Sequence, residues 1–403
     1  MKVLIIGGGA SGMMAALTAA EDPSNRVTLL ERQSRVGRKL LATGNGRCNL
    51  TNLHASPEHY HGQHPEFVRP ALERFSVEDT LAFFKVLGLL TVAEDSGKVY
   101  PFSDQANSVV DVLRFVLEAR GVDLRCGCEV LSIGKKARGY NVKTAEESFY
   151  CDKLIVACGG AAGGKLGGTD LGYKLLKSMG HTVTSLHPAL VQLKTDTTAT
   201  RSLKGVRADA GLTLKRDGVT VLTNAGEVQF TDFGISGPAV FEMSREAGFG
   251  GDLILLLDLL RPVSETDLAA FLRQKRENMP NLLLEDFLTG TLHNRLGRVV
   301  LKQAGLDLTR QAESLTDNEL SRIAHWIKFF PMTVTGIMGL DLAQVTAGGI
   351  LTSEFRPDTL ESRLCPGLFA TGEVLDIDGD CGGYNLQWAW SSGRLAGQLG
   401  NRR

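Results

Sequence analysis

Apolar residues are spaced with two different periods along this chain. Val3-Leu4-Ile5-Ile6 is a short unbroken apolar run, the pattern of a strand buried on both faces of a parallel sheet. Glycines occupy much of Gly7 to Gly12, and Met13 to Ala20 is then rich in Ala, Leu and Met, as a buried helix is. Arg26 to Leu30 reads as a second strand ending at Glu31, so the chain opens with a β-α-β unit. Residues 32–64 look irregular. Helical patterns follow at Val77 to Leu87 and Asn107 to Arg120, with a hairpin around Asp95-Ser96-Gly97 between them. Strand-like pieces occupy 122–126, 128–133, 139–144 and 147–151, and Lys153 to Cys158 predicts another buried strand.

The pattern changes after His187-Pro188. Short strand-like pieces appear at Val191–Lys194, Leu212–Lys215, Val219–Thr223 and Val228–Thr231, with Asn224-Ala225-Gly226 predicting a turn between the last two. Glu265–Arg276, Leu292–Lys302 and Asn318–Ile327 carry helical periodicity. Strand and glycine character returns near residue 332. This predicts one discontinuous α/β domain, 1–188 with 332–403, interrupted by a β part over 189–262 and a helical part over 263–331.

Composition narrows the picture. Hydrophobic content of 43% and charged content of 22% are those of a folded globular chain. Of 46 glycines, 26 lie within 1–50, 155–172 and 331–403, so the excess marks particular sites rather than low complexity. A net charge of −1 gives no bulk field for nucleic acid or anionic membrane, and residues 191–330 hold 17 basic and 18 acidic side chains. No nucleic-acid partner is expected on that ground. Seven irregularly spaced cysteines do not form a disulfide framework. The longest apolar candidate, Leu253 to Leu260, is broken by Asp258 and is too short to span a membrane. No signal peptide is legible, and a cytoplasmic protein is expected. Nothing in the sequence sets an oligomeric state.

Gly7-Gly8-Gly9-Ala10-Ser11-Gly12 fits G-x-G-x-x-G between a strand and a helix, with Glu31 closing the following strand. Gly7 permits the tight turn, Gly9 lets backbone approach a pyrophosphate, and Gly12 lets helix and strand pack closely. The free N–H groups of Ala10, Ser11 and Gly12 at the helix start favour phosphate. Glu31 is the acceptor expected for a ribose hydroxyl and disfavours a 2′-phosphate. From Arg32 to Arg47 there are five basic residues and no acid. Arg32, Arg38, Lys39 and Arg47, with Thr43, Gly44, Asn45, Cys48 and Asn49, are read as a loop wrapping the cofactor. Position 53 is Leu, so Cys48 has no partner in a C-x4-C redox pair and reads as a packed residue.

Cys158, Gly159 and Gly160 end a strand in permissive backbone, and Val130 on an earlier strand is a backbone partner for an adenine. Near the C-terminus, Gly372, Glu373 and Asp376 follow a strand, and a helix begins near Gly383, Tyr384, Asn385 and Leu386. Asp376, Asp378 and Asp380 have a D-x-D-x-D spacing, but Cys381 and Gln387 stand where a calcium loop needs Gly and Glu. Four of the eight histidines, His54, His59, His61 and His64, lie in one short loop without a metal-ligand spacing. No metal is expected. The sequence names no catalytic acid or base; Tyr384 and the histidine loop are the candidates.

The fingerprint, the A-C-G-G strand end and the A-T-G-E strand near the C-terminus resemble the two-part FAD fold of flavoprotein oxidoreductases. More specifically, Thr43 to Asn52, Gly234 to Pro238, Thr346 to Gly349 and Gly372 to Asn385 resemble the BaiN-like flavoproteins, also known as aminoacetone-oxidase-type enzymes. The resemblance spans nearly the whole chain. It implies noncovalent FAD on a Rossmann-like domain, an inserted small β-barrel with a helical subdomain, and NADH or NADPH as reductant. The N-terminus of the last helix would then face the flavin, where its dipole favours a negative reduced ring. The expected activity is reduction of a conjugated C=C bond in a small organic substrate. The alternatives are oxidation of small amines by oxygen, flavin-dependent RNA modification, or redox sensing.

Overall fold

The computed structural model describes residues 1–400. They form two compact units, one of Met1–His187 with the chain from Leu340 onward, the other of Pro188–Gly339.

The first unit is built on a five-stranded parallel sheet in the order Leu368–Ala370, Lys153–Val156, Lys2–Ile6, Arg26–Glu31, Asp123–Cys126. The opening apolar run therefore lies at the centre of the sheet, which is why Val3 to Ile6 are all buried. The chain's return at Leu368–Ala370 adds the outer strand beside Lys153–Val156, so residues 214 positions apart pair at one sheet edge. The first helix, Ala10–Ala19, packs on the last, Tyr384–Gly397. Gly393 and Gly397, one turn apart, make that approach possible: a Cβ on either would press on the carbonyl oxygens of Ser11 and Ala15. Two small antiparallel pairings carry the loops of interest. Thr51–Asn52 joins Lys98–Pro101, and Tyr60–His61 joins Asp378–Gly379.

The second unit is a closed six-stranded antiparallel barrel. Its order is Leu193–Thr195, Gly234–Ser236, Val219–Phe230, Arg207–Arg216, Leu253–Asp258 and Phe330–Ile337, which closes on Leu193–Thr195. Helices Glu265–Asn278, Asn294–Gln303 and Asp317–Lys328 share one apolar core with it, so the β and helical parts are not separate bodies. The start of the last of these is fixed by a capping box between Thr316 and Glu319. The hydrogen bond from Arg310 holds the Glu319 carboxyl at about 2.

Three local expectations change. Asn224-Ala225-Gly226 is not a turn but the middle of one long strand, paired to Ala210, Gly211 and Leu212. The Asn224 side chain donates to the Ala239 carbonyl and to Glu242, so its polarity serves helix Pro238–Ala247 rather than a chain reversal. That helix itself has no counterpart in the sequence reading, which saw only strands there. The return to the first unit comes at Leu340, not 332, because Phe330–Ile337 is the closing barrel strand.

Candidate cofactor and active site

The fingerprint turn is held by packing at two of its glycines and left open at the third. Gly7 has φ +107°, and a Cβ there would meet the Ala157 backbone; a Cβ on Gly12 would run into the Gly7 carbonyl. Gly9 has nothing within 4 Å of its Cβ direction. Room for a ligand is therefore left at the N-cap of helix Ala10–Ala19. Glu31 accepts from the Gly8 N–H at 2.7 Å through Oε2 and from the Gln33 N–H at 2.7 Å through Oε1. It orders the turn as well as presenting a carboxylate beside it. Arg32 donates to the carbonyls of Gly167 and Gly168, tying the second glycine window to the second strand.

Lys39 Nζ donates to Glu373 Oε2 at 2.7 Å, joining the basic loop to the C-terminal return. Glu373 Oε1 accepts from the Thr346 N–H, and a Cβ on Gly160 would crowd both Glu373 and Thr346. Gly372 has its N–H on Ser392 and its Cα face against Ser11. The structure thus gathers Gly7–Gly12, Lys39, Gly160, Gly372 and Glu373 around one place. Gly159 also faces open space there, beside Cys158. Val130 is buried, paired to Thr144 in a separate three-stranded sheet.

Arg38 and Arg47 both have partners within the protein. Arg38 donates to Gln33 at 2.7 Å. Arg47 lies on the Tyr100 ring, 3.9 Å from its centroid, and pairs with Glu94 at 3.3 Å and Asp104 at 3.5 Å. Its guanidinium is committed to that cluster. Between them Thr43 donates to the Leu40 carbonyl, and Gly44 and Asn45 both have φ +57°. Cys48 is fully buried, and burial pushes its thiol up to about 12, so it is no thiolate nucleophile.

A second cradle lies at the start of helix Tyr384–Gly397. Gly383 caps it at φ +106°, pressed against the Thr51 carbonyl and the Asn49 side chain. Asn49 is buried, and its Oδ1 has no hydrogen-bond partner. An orphaned acceptor beside a helix N-terminus matches an isoalloxazine edge, which carries one N–H between two carbonyls. Asn385 clamps the preceding strand, accepting from the Gly379 N–H and donating to the Gly379 carbonyl. Leu386, half-buried, packs against the core. Asp376 accepts from the Gln63 N–H at 3.2 Å, which fastens the histidine loop to this segment.

Two of the four loop histidines converge on one carboxylate. His59 Nδ1 is 2.9 Å from Asp380 Oδ2 and His61 Nε2 is 2.7 Å from Asp380 Oδ1. Burial works to raise the Asp380 carboxyl, and the two imidazole hydrogen bonds outweigh it, so it lies below its usual range. The His59 ring stacks on Tyr384 at 4.4 Å. His54 lies by Gly97, away from this group.

A serine-histidine-carboxylate row lies elsewhere in the first unit. Ser362 Oγ lies 3.0 Å from His181 Nε2, and His181 Nδ1 lies 2.8 Å from Glu354 Oε2. Ser362 Oγ also accepts from the N–H groups of Leu364 and Cys365. The His181 side chain is wholly inaccessible and stacks on Phe355, so this row fastens two loops and meets no substrate. Its residues are 173 and 8 positions apart, a spacing no local motif describes. Gln387 is likewise a hub: it accepts from Thr51 and donates to Thr80 and Ser391.

An open fingerprint turn, a sheet completed by the chain's end and a cradle at a helix start define a Rossmann-type FAD-dependent oxidoreductase. The HI0933-like protein Rossmann domain family matches residues 1–399, and the chain belongs to that family. It is 39% identical to the 3-dehydro-bile acid delta(4,6)-reductase of Clostridium scindens, over 100% of this chain and 99% of that one. It is 33% identical to the ribosomal RNA dihydrouridine synthase of Escherichia coli, over 96% of this chain and 95% of that one. The solved 3-ketosteroid delta1-dehydrogenase of Sterolibacterium denitrificans is similar at 12% identity and a TM-score of 0.47, covering 98% of each chain. At that distance the likeness says nothing about activity. Among the described residues, no helix is long and apolar enough to cross a membrane.

Proposed function

We propose that this protein reduces a C=C bond conjugated to a carbonyl in a small organic substrate, with NADH or NADPH as the ultimate reductant. The observation that carries the reading is the end-to-end identity of 39% to a protein named for reduction of a steroid-type dienone. The residues present fit FAD. Gly9 leaves room for the pyrophosphate at a helix N-terminus, and Glu31 stands beside it for the ribose. Lys39, held by Glu373, places a cation by the same turn. Asn49 and the N–H groups at Tyr384 and Asn385 would meet the isoalloxazine edge. Bound there, FAD supplies the hydride. The chain's own contribution is to hold that ring beside a positive helix end, which favours the charge of the reduced form.

In the barrel unit Arg207, Arg216, Arg261, Arg298, Arg310 and Lys328 have carboxylate partners, which lowers the free positive charge available to a polyanion at those positions. A second reading is favoured by the relatives named as ribosomal RNA dihydrouridine synthases: reduction of uracil, whose C=C is also conjugated to a carbonyl. Near-zero charge alone does not set RNA aside. The test is turnover with three probes, the first two without oxygen and the third in air. A 3-oxo-4,6-diene bile acid consumed with NADH or NADPH supports the first reading. Dihydrouridine appearing in ribosomal RNA from a strain lacking the modification supports the second. Oxygen uptake with small amines, with neither the enone nor the RNA reduced, would overturn both.

A further inference from the structure

We propose that the His59–Asp380–His61 cluster is the proton source for this reduction. The inference rests on the conjugate-reduction reading above, since that chemistry requires a proton as well as a hydride.

The cluster has a build that loop packing alone does not require. Three separate ties already fasten the loop to the C-terminal segment. Tyr60 and His61 pair with Gly379 and Asp378, the Asp380 N–H donates to the His59 carbonyl, and the Gln63 N–H donates to Asp376. On top of these, both imidazoles turn onto the same carboxylate, one from each side. All three side chains keep about a third of their surface open, at 33%, 35% and 31%. This is an accessible polar group, unlike the sealed His181 row. Its location is also specific. Asp380 lies three residues before the helix cap Gly383, and the His59 ring stacks on Tyr384, the first residue of that helix. The cluster therefore sits on the same short segment as the flavin cradle.

The bonding fixes which nitrogens are available. Asp380 is held ionised, so it accepts, and His59 donates through Nδ1–H and His61 through Nε2–H. His59 Nε2 and His61 Nδ1 are left as the outer nitrogens, the positions from which a proton could be passed to substrate. A flavin bound in the cradle would supply the hydride to the β-carbon of the enone. The C=C electron pair shifts toward the carbonyl, giving an enolate. An outer N–H then gives its proton to the α-carbon as the enolate collapses, and the imidazole returns to its neutral form still donating to Asp380. One hydride and one proton are added, and the flavin is oxidised.

Isosteric variants separate this role from a structural one. His59→Asn keeps a donor at the Nδ1 position, and His61→Gln keeps one at the Nε2 position. Each retains the bond to Asp380 and loses the outer nitrogen. Each holoprotein is reduced anaerobically with dithionite, then mixed with a 3-oxo-4,6-diene bile acid while flavin reoxidation is followed. Flavin content and visible spectrum should match the parent protein. A positioned acid contributes about 10²–10⁴-fold, so reoxidation slowed tenfold or more in at least one variant supports the proposal. That variant should also show a changed solvent deuterium isotope effect on reoxidation. Slowing of less than tenfold in both variants overturns it. If the parent protein itself is not reoxidised by this probe, the reductase reading fails and the proposal falls with it, a result distinct from the variant outcome.

Discussion

Lys39 and Glu373, 334 positions apart, form a 2.7 Å ion pair that links the loop after the second strand to the segment after the last. Their side chains are 31% and 18% exposed, so the pair adds on the order of 1 kcal/mol or less to folding. Its larger effect is to place a cation beside the fingerprint turn. Lys39→Ala should therefore raise the FAD dissociation constant about tenfold while the melting temperature of the apoprotein stays nearly constant. Fluorescence titration of apoprotein with FAD, alongside calorimetry, separates the two quantities.

The fingerprint glycines should separate in the same way. Gly9→Ala places a methyl group in open space, so folding should be retained and FAD binding lost. Gly12→Ala drives a methyl group into the Gly7 carbonyl, costing about 1–3 kcal/mol or more by overpacking. Thermal unfolding of both apoproteins checks this. Equal destabilisation by the two substitutions would count against an open ligand face at Gly9.

The sealed His181 row predicts a pH dependence of stability. Burial lowers His181 below its ordinary range, so the unfolded chain binds its proton more readily than the folded one. Burial works to raise Glu354, but hydrogen bonds from Thr182 and His181 bring it below its ordinary value. Both contributions are present in full above the unfolded values, about 6.5 and 4.3, and are lost as pH falls below them. Melting temperature should drop between pH 7 and pH 4. Ser362→Ala, which strips His181 Nε2 of its partner, should cost about 1–3 kcal/mol. It should leave FAD content unchanged.

Cys48 should behave as a packed residue. Its buried thiol, pushed up to about 12, should resist iodoacetamide at pH 8 until the protein is unfolded. Exposed Cys126 should be labelled first in a peptide map. Rapid labelling of Cys48 in folded protein would contradict this.

Local pattern carried the sheet well. Val3 to Ile6, Arg26 to Glu31 and Lys153 to Val156 are apolar runs whose neighbours in sequence already signal strands. Asn224 to Gly226 misled because turn residues can also serve a long strand pressed against a helix: Gly226, at φ +150°, abuts Ala239. The Asp380 cluster and the Ser362 row were out of reach for a different reason. Their members meet across 319 to 321 and 181 positions, and only the folded backbone brings them together. The near-neutral charge of residues 191–330 was legible, but not which of its basic side chains pair with carboxylates.

The most direct measurement is the flavin content and redox cycle of the purified protein. The structure predicts a yellow protein that releases about one FAD per chain on denaturation. It should be bleached anaerobically by NADH or NADPH and recover its colour when a 3-oxo-4,6-diene bile acid is added. A colourless protein that takes up no FAD on reconstitution, or a bound flavin that neither nicotinamide bleaches, would contradict the account.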